Sequence, residues 1–341
     1  MAEPWIPDVL GAPFEQRTLP LGDDAEGEVV ATLVRSLPSL GQRMLAPLAD
    51  VDVLYVHGWS DYFFQAGLAR AWNDLGARFY ALDLRKYGRS LRDGQTPGYV
   101  DSLDAYDDDI AAALEAMGHA GAERSRRLVL LGHSTGGLTL TLWAARHPGV
   151  AAALILNSPW LELQTGAVAR QAIAPLLRAH ARVAPLSAPP AIELSTYARA
   201  QREIGSLPAA EGRERWRPSE AFAIHPGWLN AVLAGHQQIG AGVDVGCPAL
   251  VLLSARSMPP FRWVDGLTRS DSVLTVDDIA RAATRIGSLV TIARIEDAIH
   301  DVFLSWPQPR ADAHRVMRAW STATLRGPRL ARPRAVAATA S

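Results

Sequence analysis

The pentapeptide Gly132-His133-Ser134-Thr135-Gly136 sets one hydroxyl among glycines, directly after the apolar run 127–132 and before the helical pattern 135–146. Small neighbours at a strand-to-helix turn leave room for a strained backbone that holds the serine side chain out as a nucleophile. Read blandly, the turn has no chemistry; the strand before it and the helix after it favour the nucleophile. A serine hydroxyl attacks at neutral pH only when a base removes its proton, and an imidazole held in one tautomer by a carboxylate suits that task. The chain offers nine histidines. His133 adjoins the serine, but its side chain is expected to point away, and His57 belongs to a Gly-containing turn. His119, His147 and His314 lie on helical patterns or their ends, His180, His225 and His236 fall in a long interval, and His300 follows the last apolar run.

Several elements must position these groups. Short apolar runs at 51–56, 77–82, 127–132, 152–157, 248–254 and 289–295 read as buried strands, and the more polar run 27–35 as an antiparallel edge strand. Helical patterns at 62–75, 102–117, 135–146, 277–286 and 310–325 alternate with them. The alternation predicts an α/β protein with a mostly parallel central sheet flanked by helices. The interval 160–246 is far too long for a crossover and predicts an inserted helical cap, with a helical stretch over 165–184. The chain therefore divides into a first core part (1–159), the cap (160–246), a second core part (247–326) and a disordered Arg/Pro/Ala-rich tail (327–341).

Composition narrows the partners. With 341 residues, 48% of them hydrophobic, the chain can bury a large core. Thirty-four basic against 35 acidic side chains give a net charge of -1, with no electrostatic case for nucleic acid or an anionic membrane, so a small-molecule substrate is expected. Cys247 is the single cysteine, which excludes an internal disulfide and a multi-thiolate zinc site. No metal or cofactor is expected, and Asp107-Asp108-Asp109 reads as a solvated acidic turn at a helix start. No run is long and apolar enough for a membrane span, and the acids and prolines of the first residues are unlike a secretory signal, so a cytoplasmic location is expected.

The segments 54–65, 81–90, 131–137, 154–163, 270–278 and 295–305, in that order, resemble an α/β-hydrolase with an inserted cap, of the monoglyceride lipase, lysophospholipase and serine aminopeptidase S33 group. The resemblance implies Ser134 as nucleophile and His300 as base. The acid then falls in the loop after 248–254, where Asp271 is favoured and Asp277 and Asp278, which open a helical pattern, remain alternatives; Asp265 is weaker. Residues 255–269 make that loop longer than in simpler relatives. The backbone N–H groups of Trp59 and Thr135 would form the oxyanion hole. Lys86 stands where the family's Asp-x-Arg-Gly-x-Gly-x-Ser loop has its first glycine, and Asp83 and Arg85 are expected to support the oxyanion side by hydrogen bonding.

The expected reaction is cofactor-independent hydrolysis of a carboxylic ester through an acyl-enzyme. Trp160, Leu161, Leu163, Leu176 and Leu177 suggest an apolar acyl chain, or simply a cap burying its own face. Two other readings stay open. An S33-type aminopeptidase would need a cap acid such as Glu193, Glu203, Glu211 or Glu214 for a substrate amine. A ligand-binding protein would keep the pocket with little turnover.

Overall fold

The computed structural model describes residues 3–44, 46–119, 126–163, 175, 178–187, 195–207 and 213–326. The tail 327–341, most of the stretch 165–177 including Leu176 and Leu177, and Glu193 and Glu211 lie outside the described residues.

One sheet runs through the molecule in the order β1-β2-β3-β5-β4-β6-β7-β8-β9. β1 (Ile6–Pro7), β2 (Glu15–Asp24) and β3 (Gly27–Ser36) are antiparallel, and β3 joins β5 (Arg78–Asp83) antiparallel. From β5 onward the sheet is parallel, through β4 (Val51–Val56), β6 (Arg127–His133), β7 (Ala153–Asn157), β8 (Ala249–Ser254) and β9 (Val290–Ile295). The inner strands lack polar alternation because both faces are covered. Leu54 and Val56 of β4 join Leu130 and Leu154 on one face, while Val53 and Tyr55 join Val129 and Ile155 on the other. Each such leucine or valine contributes about 1.5–3 kcal/mol of burial free energy.

Helices close both faces. After the short α1 (Leu40–Met44), α2 (Ala66–Asn73) places Leu68 and Trp72 on the second face, beside Ala313 and Met317 of α8 (Pro307–Arg326). The first face receives Ile110 of α3 (Tyr106–Met117), Leu138 of α4 (Thr135–Arg146), Trp228 of α6 (Pro226–Ala241) and Ile279 of α7 (Val276–Ala283). Within 160–246, α5 (Ser195–Ile204) and residues 178–183 are helical, and α6 packs on α4 as the crossover between the parallel strands β7 and β8.

Three expectations need correction. The run 27–35 is not an edge: β2 and β1 lie outside it. β2 escapes a periodicity reading because only Leu19 along it is buried. The run 289–295 is the opposite edge rather than an interior strand, with Thr291, Ile292 and Arg294 facing solvent. The pattern at 62–75 becomes helical only from Ala66, since the buried aromatics Tyr62, Phe63 and Phe64 form a loop that the candidate site uses.

Candidate active site

β6 ends at His133, and the next residue, Ser134, adopts φ 50° and ψ −116° before α4 begins at Thr135. A non-glycine residue in such a region costs about 1–3 kcal/mol and persists only when its surroundings over-determine it. Here Ser134 N–H donates to Asn157 O at 3.0 Å, and Ser134 O accepts from Trp160 N–H and Gly137 N–H, both at 3.0 Å. The small neighbours are steric requirements. A Cβ on Gly136 would lie 2.3 Å from His57 O, so only glycine lets the start of α4 approach the end of β4. A Cβ on Gly58 would sit 3.1 Å from both Ser134 Cβ and His133 Cδ2, which brings the Gly58-Trp59 backbone alongside the serine.

His300 follows β9, and its Nδ1–H donates to Asp271 Oδ2 at 2.8 Å; both residues are buried. A carboxylate only accepts, so the hydrogen sits on Nδ1 and Nε2 is left to take a proton. Asp271 Oδ1 accepts from Val273 N–H at 2.8 Å and Leu274 N–H at 2.7 Å, fixing the carboxylate. The long loop 255–269 is closed here by an isolated parallel bridge between Ser257 and Asp271. Ser254 Oγ, at the end of β8, donates to Ala298 O at 2.7 Å and ties the histidine loop to the same place. The other acids face elsewhere: Asp277 is 73% exposed and pairs with Arg294, Asp278 pairs with Arg281, and Asp265 is exposed at the start of a short 3-10 helix, Asp265–Arg269.

Ser134 and His300 line one cavity of about 80 Å³, together with Gly58, Trp59, Asp61, His133, Tyr197 and Arg217. His133 is one of these lining residues. Its ring centroid lies 5.0 Å from that of His300, its Nδ1 faces Asn157 O at 3.1 Å, and burial pushes its pKa down against the pull of Asp301. His57 is structural: its Nε2 accepts from Leu84 N–H at 3.2 Å and its Nδ1–H donates to Gly58 O at 2.8 Å. A second, smaller apolar space on the other side of Gly58 and Thr135 is lined by Tyr87, Leu103, Tyr106 and Trp228. Trp160 and Leu161 pack into the core instead of lining the main cavity.

Asp83 accepts from Phe63 N–H at 2.9 Å and from Arg89 Nη1 at 2.7 Å, and so supports the loop carrying Trp59. Arg85 instead binds Asp109 on α3, donating Nε at 2.6 Å and its backbone N–H at 2.7 Å. Asp109 is therefore buried rather than solvated, and desolvation pushes its carboxyl up to about 6 against the pull of Arg85. Lys86 takes φ 62°, the left-handed region a glycine would favour; its buried ammonium is held by Asp24 at 2.7 Å and Glu26 at 2.5 Å, which offsets that strain.

Sequence reasoning missed Asp301. Its carboxylate accepts from Asn157 Nδ2 at 2.7 Å, Phe303 N–H at 3.0 Å and Gln65 Nε2 at 3.2 Å, which anchors the residue after His300 to β7 and to the start of α2. It missed Asp61 as well, whose carboxylate meets Arg217 at 2.9 Å in the cavity wall; burial raises its pKa while Arg217 opposes the rise. Among the described residues, no group of three or more His, Cys, Asp or Glu is placed to hold a metal ion, and no helix is long and apolar enough to cross a membrane.

Residues 49–241, more than half of the chain, match the serine aminopeptidase S33 family. Lysophospholipase L2 of Escherichia coli K12 is 31% identical over 212 residues, which are 56% of this chain and 58% of that protein, so the chain spans less than two thirds of its length. The structure also superposes on a soluble variant of the Saccharomyces cerevisiae monoglyceride lipase in complex with a substrate analog, with TM-score 0.64 and 13% identity over 89% of this chain and 94% of that one. For the Paleococcus ferrophilus monoacylglycerol lipase the TM-score is 0.60, with 18% identity over 86% of this chain and 99% of the other. The fold is thus that of the α/β-hydrolases, and the chain belongs to the serine aminopeptidase S33 family.

Proposed function

We propose that the protein is a serine hydrolase that cleaves a carboxylic ester through an acyl-enzyme on Ser134. In this reading His300 Nε2 takes the Ser134 proton as Oγ attacks the acyl carbon, while Asp271 holds the imidazole and stabilises its charge. The N–H groups of Trp59 and Thr135 receive the developing oxyanion. The protonated histidine then gives its proton to the leaving alcohol, and water, activated by the same nitrogen, releases the acid and restores the serine. One observation carries the proposal: Ser134, strained outward at φ 50°, and His300, fixed through Nδ1 by a buried Asp271, line the same cavity.

Ester rather than amide chemistry is supported by the charges in the cavity. Among the described residues Asp61 is the only carboxylate lining it, and Arg217 neutralises that group, so no free acid is offered to a substrate amine. Glu203 pairs with Arg199 and Glu214 is exposed. The similarity to a lysophospholipase and to monoglyceride lipases points the same way. The division into core (1–159 and 247–326) and cap (160–246) belongs to the same proposal, since Tyr197 and Arg217 bring the cap to the cavity wall. So does a cytoplasmic location, in which a single cysteine needs no oxidising partner.

The test is parallel turnover of p-nitrophenyl butyrate and of alanyl and prolyl p-nitroanilides, together with labelling by a fluorophosphonate. Wild type should hydrolyse the ester faster and be labelled on Ser134, whereas Ser134→Ala should do neither. Faster amide turnover would install the aminopeptidase reading, and folded wild type that resists the label would install the ligand-binding one.

A further inference from the structure

Arg217, beyond meeting Asp61, donates Nη2 to Gln201 Oε1 at 2.6 Å. Gln201, fully buried on α5, donates Nε2 to the Tyr197 hydroxyl at 3.0 Å, one helical turn earlier. The same hydroxyl accepts the backbone N–H of Asp301 at 3.1 Å, and the Tyr197 ring stands edge-on to His300 with centroids 5.7 Å apart. These bonds form one continuous chain, Asp61–Arg217–Gln201–Tyr197–Asp301. Its first member lies two residues beyond Trp59, and its last directly follows His300. Both ends belong to the core, and every link between them comes from the interval 160–246.

We propose that α5 acts as a strut, with Gln201 and Tyr197 as positioning residues that hold the oxyanion loop and the histidine loop at their working separation. Rate depends steeply on that separation, because a displacement of about 1 Å at reacting groups can lower turnover about 100-fold. Gln201 and the two end carboxylates are buried, Tyr197 and Arg217 are half-buried, and the chain is anchored on a charged pair, so each link is polarised by the next. α5 is itself braced on the acid side: it packs on the 3-10 helix Asp265–Arg269, and the Arg199 guanidinium lies 3.9 Å over the Trp263 ring. The lengthened loop 255–269 thereby gains a role, since it gives α5 a seat next to Asp271.

The inference rests on the reading that Ser134 and His300 react. Its test uses full-length Tyr197→Phe, which deletes one oxygen, and Gln201→Met, which keeps the side-chain volume but not the bonds. With p-nitrophenyl butyrate each should lower kcat by about 10-fold or more while KM stays within about threefold. Hydrogen exchange should accelerate in both 58–65 and 297–305, although the hydrogen bonds of the Gln201 side chain go to Tyr197 and Arg217. The double variant Arg217→Met/Tyr197→Phe should lose less than the product of its single losses, because both break the same chain. Wild-type kcat in Tyr197→Phe, faster exchange confined to α5, or multiplicative losses in the double variant would each overturn the strut. If Gln201→Met does not fold, Tyr197→Phe and the double variant decide alone. If wild type has no esterase activity, the ester reading falls, and the exchange experiment by itself then decides the strut.

Discussion

The two ends of β4 are built on opposite principles. At its start, Asp52 is fully buried and every nearby charge is satisfied: Arg126 Nε donates at 2.7 Å, His119 Nε2 at 2.8 Å, and Arg78 grips the carboxylate with two nitrogens. Burial alone would raise the Asp52 pKa, but the three donors outweigh it and hold the carboxyl down at about 2. Beyond its other end, the His57-Gly58-Trp59 loop meets a strained serine and a histidine with one ring nitrogen committed to Asp271. At the first end the Asp52 carboxylate has its accepting capacity spent on stability, with two donors on each oxygen. The second keeps some in reserve, and that reserve is what chemistry requires.

The largest effect that would sharpen this contrast is loss of the proposed nucleophile. Ser134→Ala should lower kcat by at least about 10⁴-fold while relieving backbone and polar constraints so little that thermal stability is unchanged or slightly raised. Steady-state kinetics paired with melting curves will show whether activity and stability separate in this way. Next, Asp271→Asn should cost about 10³–10⁴-fold in kcat, since a neutral amide can hold the imidazole in the wrong tautomer. A loss under 10-fold would break the assignment of the acid.

At the other end of β4 the pattern should invert. Asp52→Asn leaves clustered cations around a neutral amide and should cost about 2–4 kcal/mol of unfolding free energy, with kcat/KM within about twofold of wild type. Denaturant titration and ester turnover on the same preparation check both halves. The pH dependence follows from the sign of the shift. The folded-state pKa of Asp52 lies below its unfolded value of 3.8, so its contribution is present above about pH 4 and is lost as pH falls toward 2. It amounts to about 2 kcal/mol, and the stability gap between wild type and Asp52→Asn should close over that window. The smallest effect is expected at Asp277→Asn, an exposed ion pair: about 0.5 kcal/mol or less, with full activity. Loss of turnover in that variant would mean that the acid has been misassigned.

Much of this site was legible in the chain. The serine turn announces itself locally, because the same five residues must supply both the serine and the small neighbours that let α4 approach β4. The parallel strands were legible for a similar reason, as burial on two faces leaves continuous apolar runs. β2 was not, since a strand with one buried residue carries no period. Asp301, Asp61, Arg217, Gln201 and Tyr197 were not legible either. Their roles depend on partners that folding brings together from distant segments, as with Asp61 and Arg217 or Tyr197 and Asp301.

By itself, then, the sequence determined the elements whose cause is local: the serine turn, the inner parallel strands and the long interval between β7 and β8. Only the tertiary structure decided which of several aspartates reaches His300, that His133 faces the cavity, and that Tyr197 and Gln201 of α5 bond to Asp301 and Arg217. The physical reason is range. Sterics and burial act on neighbours along the chain, whereas a hydrogen bond between buried polar groups depends on where distant segments are brought together, and pattern along the sequence carries no record of that distance.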